Sequence, residues 1–394
     1  VVAADHLGVG RVPGYPVWTL LAKGFICLFP HAQYHGHPNP AWAVNWMSAF
    51  FGALACGLLA ALTCRLARAV VAASDALCAV SGLAAGWLFA FSPTTWSQAV
   101  VAETHTLTNF YFLALLALSL RWVDAADRTS PFLLAFLSGL GLAVSPLLIV
   151  FLPVLLLAAA LASLKDFARL SAAALLFGGF LFVEFKWGSL RPAIGGGVLA
   201  CALAVAGLLA VARSTRPVAG LLLLLLAGLL PYVYLPLAAA RHPPMNWGQA
   251  CTWEGFWHVV SRGQYEALVP LDPFAHPGIF LRDLAWYGRL LAAQFAAPLV
   301  ALALVPVVAL RRLDRRAQAA LLLVLGAWFC FAVVVVVGAN PQMDVQTTWV
   351  ARTLFLPSFA LVALLIGAGW SILWNGIAGW TSRHKAAIRG PEES

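Results

Sequence analysis

A chain of 394 residues that is 62% hydrophobic and only 10% charged falls far below the charged fraction of an ordinary soluble domain, which is about 25%. With a mean hydropathy of +0.88 it reads as an all-α polytopic membrane protein, and the soluble fold classes are excluded. The formal net charge of +9 would suggest nucleic acid in a soluble protein; here the cations lie between apolar stretches and set membrane orientation, so no nucleic-acid partner is expected.

In chain order, the first feature is RVPGYPVW, Arg11–Trp18. Proline fixes φ and pushes the residue before it toward extended geometry. Gly14 admits a tight turn, and Pro16 suits the first turn of a helix predicted over Val17–Phe29. At roughly 13 residues that helix is too short to cross a bilayer, which takes about 20, and it is expected to lie at the interface. No charged n-region precedes a short apolar stretch, so no cleavable signal peptide is expected. FPHAQYHGHPNP then places His31, His35 and His37 at spacings found in metal sites. No fourth ligand of matching character is nearby, and the Gly/Pro surroundings predict a solvated turn, so no metal site is assigned.

Apolar windows long enough to span lie near 42–64, 76–98, 100–121, 131–164 as two short spans, 168–185, 193–212, 217–238, 284–310, 318–338 and 353–376. They make about eleven transmembrane helices. Short basic clusters recur between alternate pairs: Arg65/Arg68, Arg121/Arg128, Lys165/Arg169, Arg213/Arg216, Arg311 to Arg316, and Arg383/Lys385/Arg389. Placing each in the cytoplasm satisfies the positive-inside rule throughout. Residues 1–380 are then one membrane domain and 381–394 a cytoplasmic basic tail. Six of the seven cysteines (Cys27, Cys56, Cys64, Cys78, Cys201, Cys330) sit in apolar stretches without CxxC or metal spacing and read as small buried hydrophobes.

That orientation sends residues 1–41, the loop 239–283 and the loop 339–352 to the extracytoplasmic side, where most of the His, Trp, Asn, Gln and Asp of the chain collect. Loops longer than about 12–15 residues are functional or disordered, and the aromatic content here argues for order. PTTWSQAVVAETHTLTN, 93–109, adds Gln98, Glu103 and His105 at the same face. A carboxylate there stays ionised where water reaches it and can act as a base. Glu103, His105 and Asn109 are expected on one approximate helical face; the plainer alternative is a polar hairpin tip. Arg352, in TTWVARTLFLPSF, is expected to open the last span, and Arg262 lies in SRGQY. Each offers a donor fork suited to phosphate, against the plainer role of a snorkelling flank. RHPPMNWGQACTWEGFWHVVSRGQYEAL contains an amphipathic segment, Trp253–Arg262, expected at the water–lipid boundary. Glu184 and Lys186 are expected to pair with each other or with Arg191. There is no P-loop, GxGxxG or GxSxG.

These residues carry a family resemblance. VVAADHLGVGRVPGYPVWTLLAKGF resembles the LG-x-x-x-P-P-G-Y-P-L signature of a family of polytopic GT-C-type glycosyltransferases that includes the eukaryotic transmembrane O-mannosyltransferase of plexin-type receptor domains and its bacterial relatives. NWMSAFFGALA is similar to the family's N-x-x-S-A segment. WSQAVVAETHTLTNFYFLALLALSLRW is similar to its W-x-Q-A-x-x-A-E-x-Y-T-L-N block, and YVYLPLAAARHPPMNWGQACT to its Y-x-Y-L-P…P-P-x-N-W-G block. RGQY and RTLFLPSFALVALLIG resemble its later segments. The matches follow in order over residues 1–370.

The resemblance implies a GT-C-like bundle with juxtamembrane helices in the outer loops, taking a mannose-like sugar from a polyprenyl- or dolichyl-phosphate carrier to a protein or glycan acceptor, with inversion. It implies Glu103 and Asp5 as acidic catalytic groups and Arg352, Arg262, His105, Asn246, Trp247, Tyr265 and Tyr15 as substrate- or phosphate-binding residues. No metal ligand and no cofactor are implied, a divalent requirement being left open. Membrane lipids are implied as surroundings, and a bacterial inner membrane or the endoplasmic reticulum as the location. The chain departs from the pattern in four places, one being GLAVSPLL, near 140–148, where the family has a short segment often carrying Asn-His. The family's Asp-x-x-Glu segment precedes LG-x-x-x-P-P-G-Y-P, so the expectation is that the N-terminal span and that acidic motif are missing here. The His before the proline pair is Arg11 or Val12, and the Tyr after A-E-x is His105. Two alternatives remain: a transporter or flippase, which would place ionisable residues near the bilayer midplane in repeated halves, and a non-catalytic assembly protein.

Overall fold

In a computed structural model, residues 1–394 are described apart from 31–32, 72–73, 126, 187–214, 266–269, 342 and 390–394, and only the backbone is described for 180–186, 265 and 382–389. The described residues are almost wholly helical, with one two-stranded hairpin pairing Gln33–Tyr34 with His37–Pro38. The all-α polytopic class is therefore met. His35 and His37 lie in that exposed hairpin, turned by left-handed His35 (φ 49°) and Gly36 (φ 78°); His31 lies outside the described residues, as does the expected partner Arg191 of Glu184 and Lys186.

Among the described residues four helices are long and apolar enough to cross a membrane: Pro40–Val70, His105–Ala125, Arg315–Ala339 and Leu356–Thr381, or up to seven spans if each of three bent pairs counts as one. The sequence windows outnumber them for a physical reason. Window 76–98 breaks before Pro93 with a 70° bend, 217–238 breaks near Pro231 with a 41° bend, and 284–310 breaks at Ala296 with a 104° bend. Proline removes a donor and clashes with the preceding turn, and Ala296 itself has a φ of 59°. Window 131–164, expected as two short spans, forms the Ser130–Val144 helix and the apolar stretch Pro146–Ala162, each shorter than the four spanning helices. Window 193–212 lies outside the described residues.

The chain divides into two compact units: Val1–Phe51, Gln98–Leu271 and Val337–Asn340 in the first; Gly52–Ser97, Asp272–Val336 and Pro341–Ser394 in the second. In the first unit the helices Ser130–Val144 and Arg216–Gly228 touch backbone to backbone. A Cβ on Gly139 would collide with the Leu225 carbonyl oxygen, and one on Gly228 with that of Phe136. Small residues at a crossing are how apolar helices gain packing where lipid is as oily as leucine. The expected short helix forms as Pro16–Leu28. An aromatic sheaf of Phe25, Phe29, Trp46 and Phe50, with ring centroids 5.4 to 6.3 Å apart, holds it against the start of Pro40–Val70.

The second unit is built on Leu356–Thr381, 83% of whose most apolar window is buried. Ser371 Oγ donates to Ser81 Oγ at 2.7 Å in its interior. Asp283 is fully buried and accepts from Arg282 at 2.9 Å (Nε) and 2.8 Å (Nη2). The helix carrying them runs Pro277–Phe295, so the loop expected to reach 283 ends earlier.

Candidate functional site

The first unit gathers the polar loops. Val9 N donates to Met245 O (2.9 Å) and Trp247 N to Val9 O (3.1 Å), forming a short parallel bridge between Val9 and Asn246. Tyr234 Oη donates to Gly8 O at 2.9 Å. Beneath these bonds Val9, Val12, Leu235, Ala238, Ala239, Ala250 and Val259 form one buried apolar cluster. Segments more than two hundred residues apart are thus sewn together by an apolar core with backbone bonds above it, because an unpaired buried backbone group is costly. Gly14 is required at the turn: its φ is +87°, and a Cβ there would lie 2.6 Å from Leu235 Cδ2. The Val12–Pro13 bond is cis, and Tyr15, half-buried, takes the left-handed conformation (φ 43°) that turns the chain into the Pro16 helix.

That helix organises two carboxylates. Trp18 Nε1 donates to the Glu103 carbonyl oxygen at 3.2 Å, and Ser48 Oγ to the same oxygen at 3.5 Å. Five residues further on, Lys23 Nζ donates to the Asp5 carbonyl at 2.6 Å and lies 3.5 Å from Asp5 Oδ1. Five residues rise about 7.5 Å along a helix, so one short element anchors both acids. The Glu103 carboxylate faces Arg11, with 3.7 Å between Oε2 and Nη2. Each acid therefore has its own cation.

Glu103 is not on the helical face shared by His105 and Asn109. The helix starts at His105, and Glu103 sits in the turn before it, its N–H bonded to Val101 O at 2.9 Å. A backbone N–H closed onto the residue two before it cannot join the i→i−4 ladder, so the carboxylate stands off the helix. His105 is half-buried; Asn109 is buried, and its Oδ1 accepts no hydrogen bond. Gln98 is buried.

Asn246 donates from Nδ2 to Ala239 O at 3.3 Å and keeps a buried Oδ1 without a donor. Trp247 is half exposed, with Nε1 on Gln264 Oε1 at 2.9 Å. The amphipathic segment forms as the helix Trp253–Val260, N-capped by Thr252 Oγ1 on Gly255 N. It closes one wall of an apolar cleft of about 840 Å³, lined among others by Ile149, Phe177, Leu226, Val233 and Trp257, with Thr252, Ser261 and Arg262 at its polar margin. Arg262 is exposed with a left-handed backbone (φ 62°). Tyr265 ends a 3-10 turn, Gly263–Tyr265.

Arg352 belongs to the second unit. It does not open the last span, which begins at Leu356, but occupies the final turn of a separate helix, Val345–Leu354. That helix forms inside the expected loop because Asp344 caps it, accepting from Gln346 N (2.8 Å) and Thr347 N (2.9 Å). The Thr347 hydroxyl and these amides hold the Asp344 carboxyl below its ordinary pKa. The Arg352 guanidinium lies 5.0 Å over the Trp349 ring, and its buried Nε has no acceptor.

Sequence reasoning passed over Lys23, Trp18 and Ser48, and met Arg11 only as a departure from the family pattern. The available signal was Lys23 itself, the one charge in the apolar helix PVWTLLAKGFICL. Among the described residues no three His, Cys, Asp or Glu side chains gather as a metal-binding group.

The folded chain is an all-α polytopic membrane protein whose N-terminal loop is joined to a distant aromatic loop and carries one cation-paired carboxylate, Asp5, while its Arg11 pairs with a second, Glu103, from the turn before His105. Residues 1–166 match the family described as Protein O-mannosyl-transferase TMEM260 N-terminal domain. The mouse (Mus musculus) Protein O-mannosyl-transferase TMEM260 is 26% identical over 379 residues, 95% of this chain and 45% of the relative. The Dictyostelium discoideum protein of the same name is 30% identical over 118 residues, 30% of this chain and 13% of the relative. The chain is thus similar, over its first 166 residues and at 26% identity over most of its length, to proteins named as O-mannosyl-transferases. It spans less than half the length of either relative. No solved structure matches it.

Proposed function

We propose that this protein is a membrane glycosyltransferase that moves a mannose-like sugar from a polyprenyl- or dolichyl-phosphate carrier to a protein acceptor on the extracytoplasmic face, inverting the anomeric centre. The observation that carries this is the Glu103 carboxylate, part-exposed beside Arg11 and held by its own carbonyl on Trp18 and Ser48. Glycosyl transfer needs a carboxylate to take the acceptor's proton as an oxocarbenium-like state develops, and cations to receive the departing phosphate. Glu103 supplies the base. Asp5, tied to Lys23, adds negative charge to the same face, and Arg352 and Arg262 are phosphate partners. The apolar cleft with Arg262 at its margin suits a carrier whose tail is hydrocarbon and whose head is anionic; His105, Asn246, Trp247, Tyr265 and Tyr15 shape the sugar and acceptor side. The names of the relatives favour a protein acceptor and mannose.

The test is the chain in lipid nanodiscs with polyprenyl-phosphate sugars and an acceptor peptide. Transfer by the wild type, lost in Glu103→Gln and weakened in Arg352→Ala, is expected. Transfer indifferent to both substitutions would remove the site assignment. Absence of transfer with every lipid-phosphate donor would remove the function.

A further inference from the structure

The two carboxylate–cation pairs of the first unit are not equivalent. Lys23 is fastened: its ammonium donates to the Asp5 carbonyl oxygen at 2.6 Å, so it stays in place whatever the Asp5 carboxylate does. Arg11 has no such anchor. Its backbone is fixed, since Arg11 O accepts from Gly14 N at 2.9 Å in the turn, but its guanidinium meets Glu103 at 3.7 Å, beyond ordinary hydrogen-bond length. Both side chains of that pair are part-exposed, 55% for Arg11 and 39% for Glu103. A loose, hydrated ion pair is worth little, whereas a guanidinium fork on a phosphate forms parallel charge-assisted bonds. By these principles a phosphate is a stronger partner for Arg11 than Glu103 is.

We propose that the Arg11–Glu103 pair is a donor-operated latch. In the free protein Glu103 is occupied as Arg11's counter-ion. When the phosphate of a lipid-linked donor binds, Arg11 passes to the phosphate oxygens and the Glu103 carboxylate is released, still held at its carbonyl by Trp18 and Ser48, to face the acceptor. No bond is made or broken at this step; one anion replaces another on the same cation. The latch makes Arg11 a phosphate-binding residue and makes Glu103 available only when a donor is present, which spares the site from deprotonating water or acceptor without a leaving group at hand. It rests on the lipid-phosphate reading given above.

Equilibrium binding to the chain in nanodiscs tests it, with farnesyl phosphate, farnesol and inorganic phosphate as probes. Arg11→Ala is expected to weaken farnesyl phosphate roughly tenfold or more, the range of a lost charge-assisted contact, and to leave farnesol unchanged. Arg11→Lys should recover part of that loss. Glu103→Gln, which deletes the competitor, should tighten farnesyl phosphate severalfold. Inorganic phosphate separates the sources: weak, Arg11-dependent binding shows the head-group site alone, and the excess for farnesyl phosphate belongs to the lipid. Farnesyl phosphate affinity that is absent, insensitive to Arg11→Ala, or weakened by Glu103→Gln overturns the latch. The transfer assay above is independent: sugar transfer with an Arg11-insensitive donor affinity sinks the latch and keeps the function, while Arg11-dependent phosphate binding without transfer from any donor does the reverse.

Discussion

In the second unit several buried polar side chains find side-chain partners: Ser371 on Ser81, Asp283 with Arg282, Tyr287 on Ser358 with Trp328 donating to the Tyr287 oxygen. In the first unit the informative polar groups sit on loops and in short helices, part-exposed, with loose or replaceable partners such as Glu103 and Arg11. The difference separates structure from chemistry within one polytopic chain. Burying a polar group in a membrane bundle is costly unless it is paired, so such a pairing says little about function; a carboxylate left part-wet at 3.7 Å from its cation needs only to exchange that loose partner before it can react.

The strongest way to break that contrast is to neutralise one acid in each unit. Glu103→Gln should lower sugar transfer roughly a hundredfold or more, the usual worth of a positioned base, while the thermal midpoint in nanodiscs stays close to wild type. Asp283→Asn should do the opposite, lowering the midpoint and sparing the turnover of whatever protein remains folded. Equal loss of turnover per folded molecule in both would erase the distinction.

Packing in the first unit comes next. Gly139→Leu drives a side chain into the Leu225 carbonyl, and overpacking of this kind costs about 1–3 kcal/mol. The measurement is denaturant or thermal unfolding of the purified protein, and a substitution that leaves the midpoint unchanged would show that the two helices do not meet there.

An effect of similar size is expected at the buried serine pair. Ser371→Ala strands the Ser81 hydroxyl at a cost of about 1–3 kcal/mol, whereas Ser81→Ala with Ser371→Ala removes both partners and should be milder than the sum of the single changes. Additive losses would mean the hydroxyls act independently.

The least effect is at Asp127, on the loop before the Ser130 helix. Hydrogen bonds from the Ser130 backbone and hydroxyl, and from Thr129, lower its carboxyl pKa from 3.8 to about 2. A carboxyl depressed in the folded state stabilises fully above its unfolded value, and that contribution drains away as pH falls from near 3.8 through about 2. Thermal midpoints of wild type and Asp127→Ala should therefore differ slightly at neutral pH and converge toward pH 2. A difference that grows on acidification would reverse the sign.

Much of the fold was legible because hydropathy and prolines are local signals. The short helix after RVPGYP, the amphipathic helix from Trp253 and the exposed His35–His37 turn needed only their own residues. Helix breaks were less legible: a window average over 284–310 hides Ala296, whose left-handed backbone bends the chain. The helix carrying Arg352 is short and polar enough to read as loop by hydropathy, although Asp344, which caps the amides two and three residues on, was a readable local signal.

By itself the sequence determined the membrane class, the polar loops and the motifs, since each rests on composition or on residues near one another in the chain. Only the tertiary structure decided which polar groups meet. Arg11 reaches Glu103 across ninety-odd positions and Val9 bonds to Met245 and Trp247 across far more, and no periodicity encodes such encounters. They arise because an apolar cluster of Val9, Val12, Leu235 and Val259 is buried most cheaply when the first loop folds onto the long one. That burial fixes the backbone on either side of Arg11, while Glu103 is held by its carbonyl on Trp18 and Ser48.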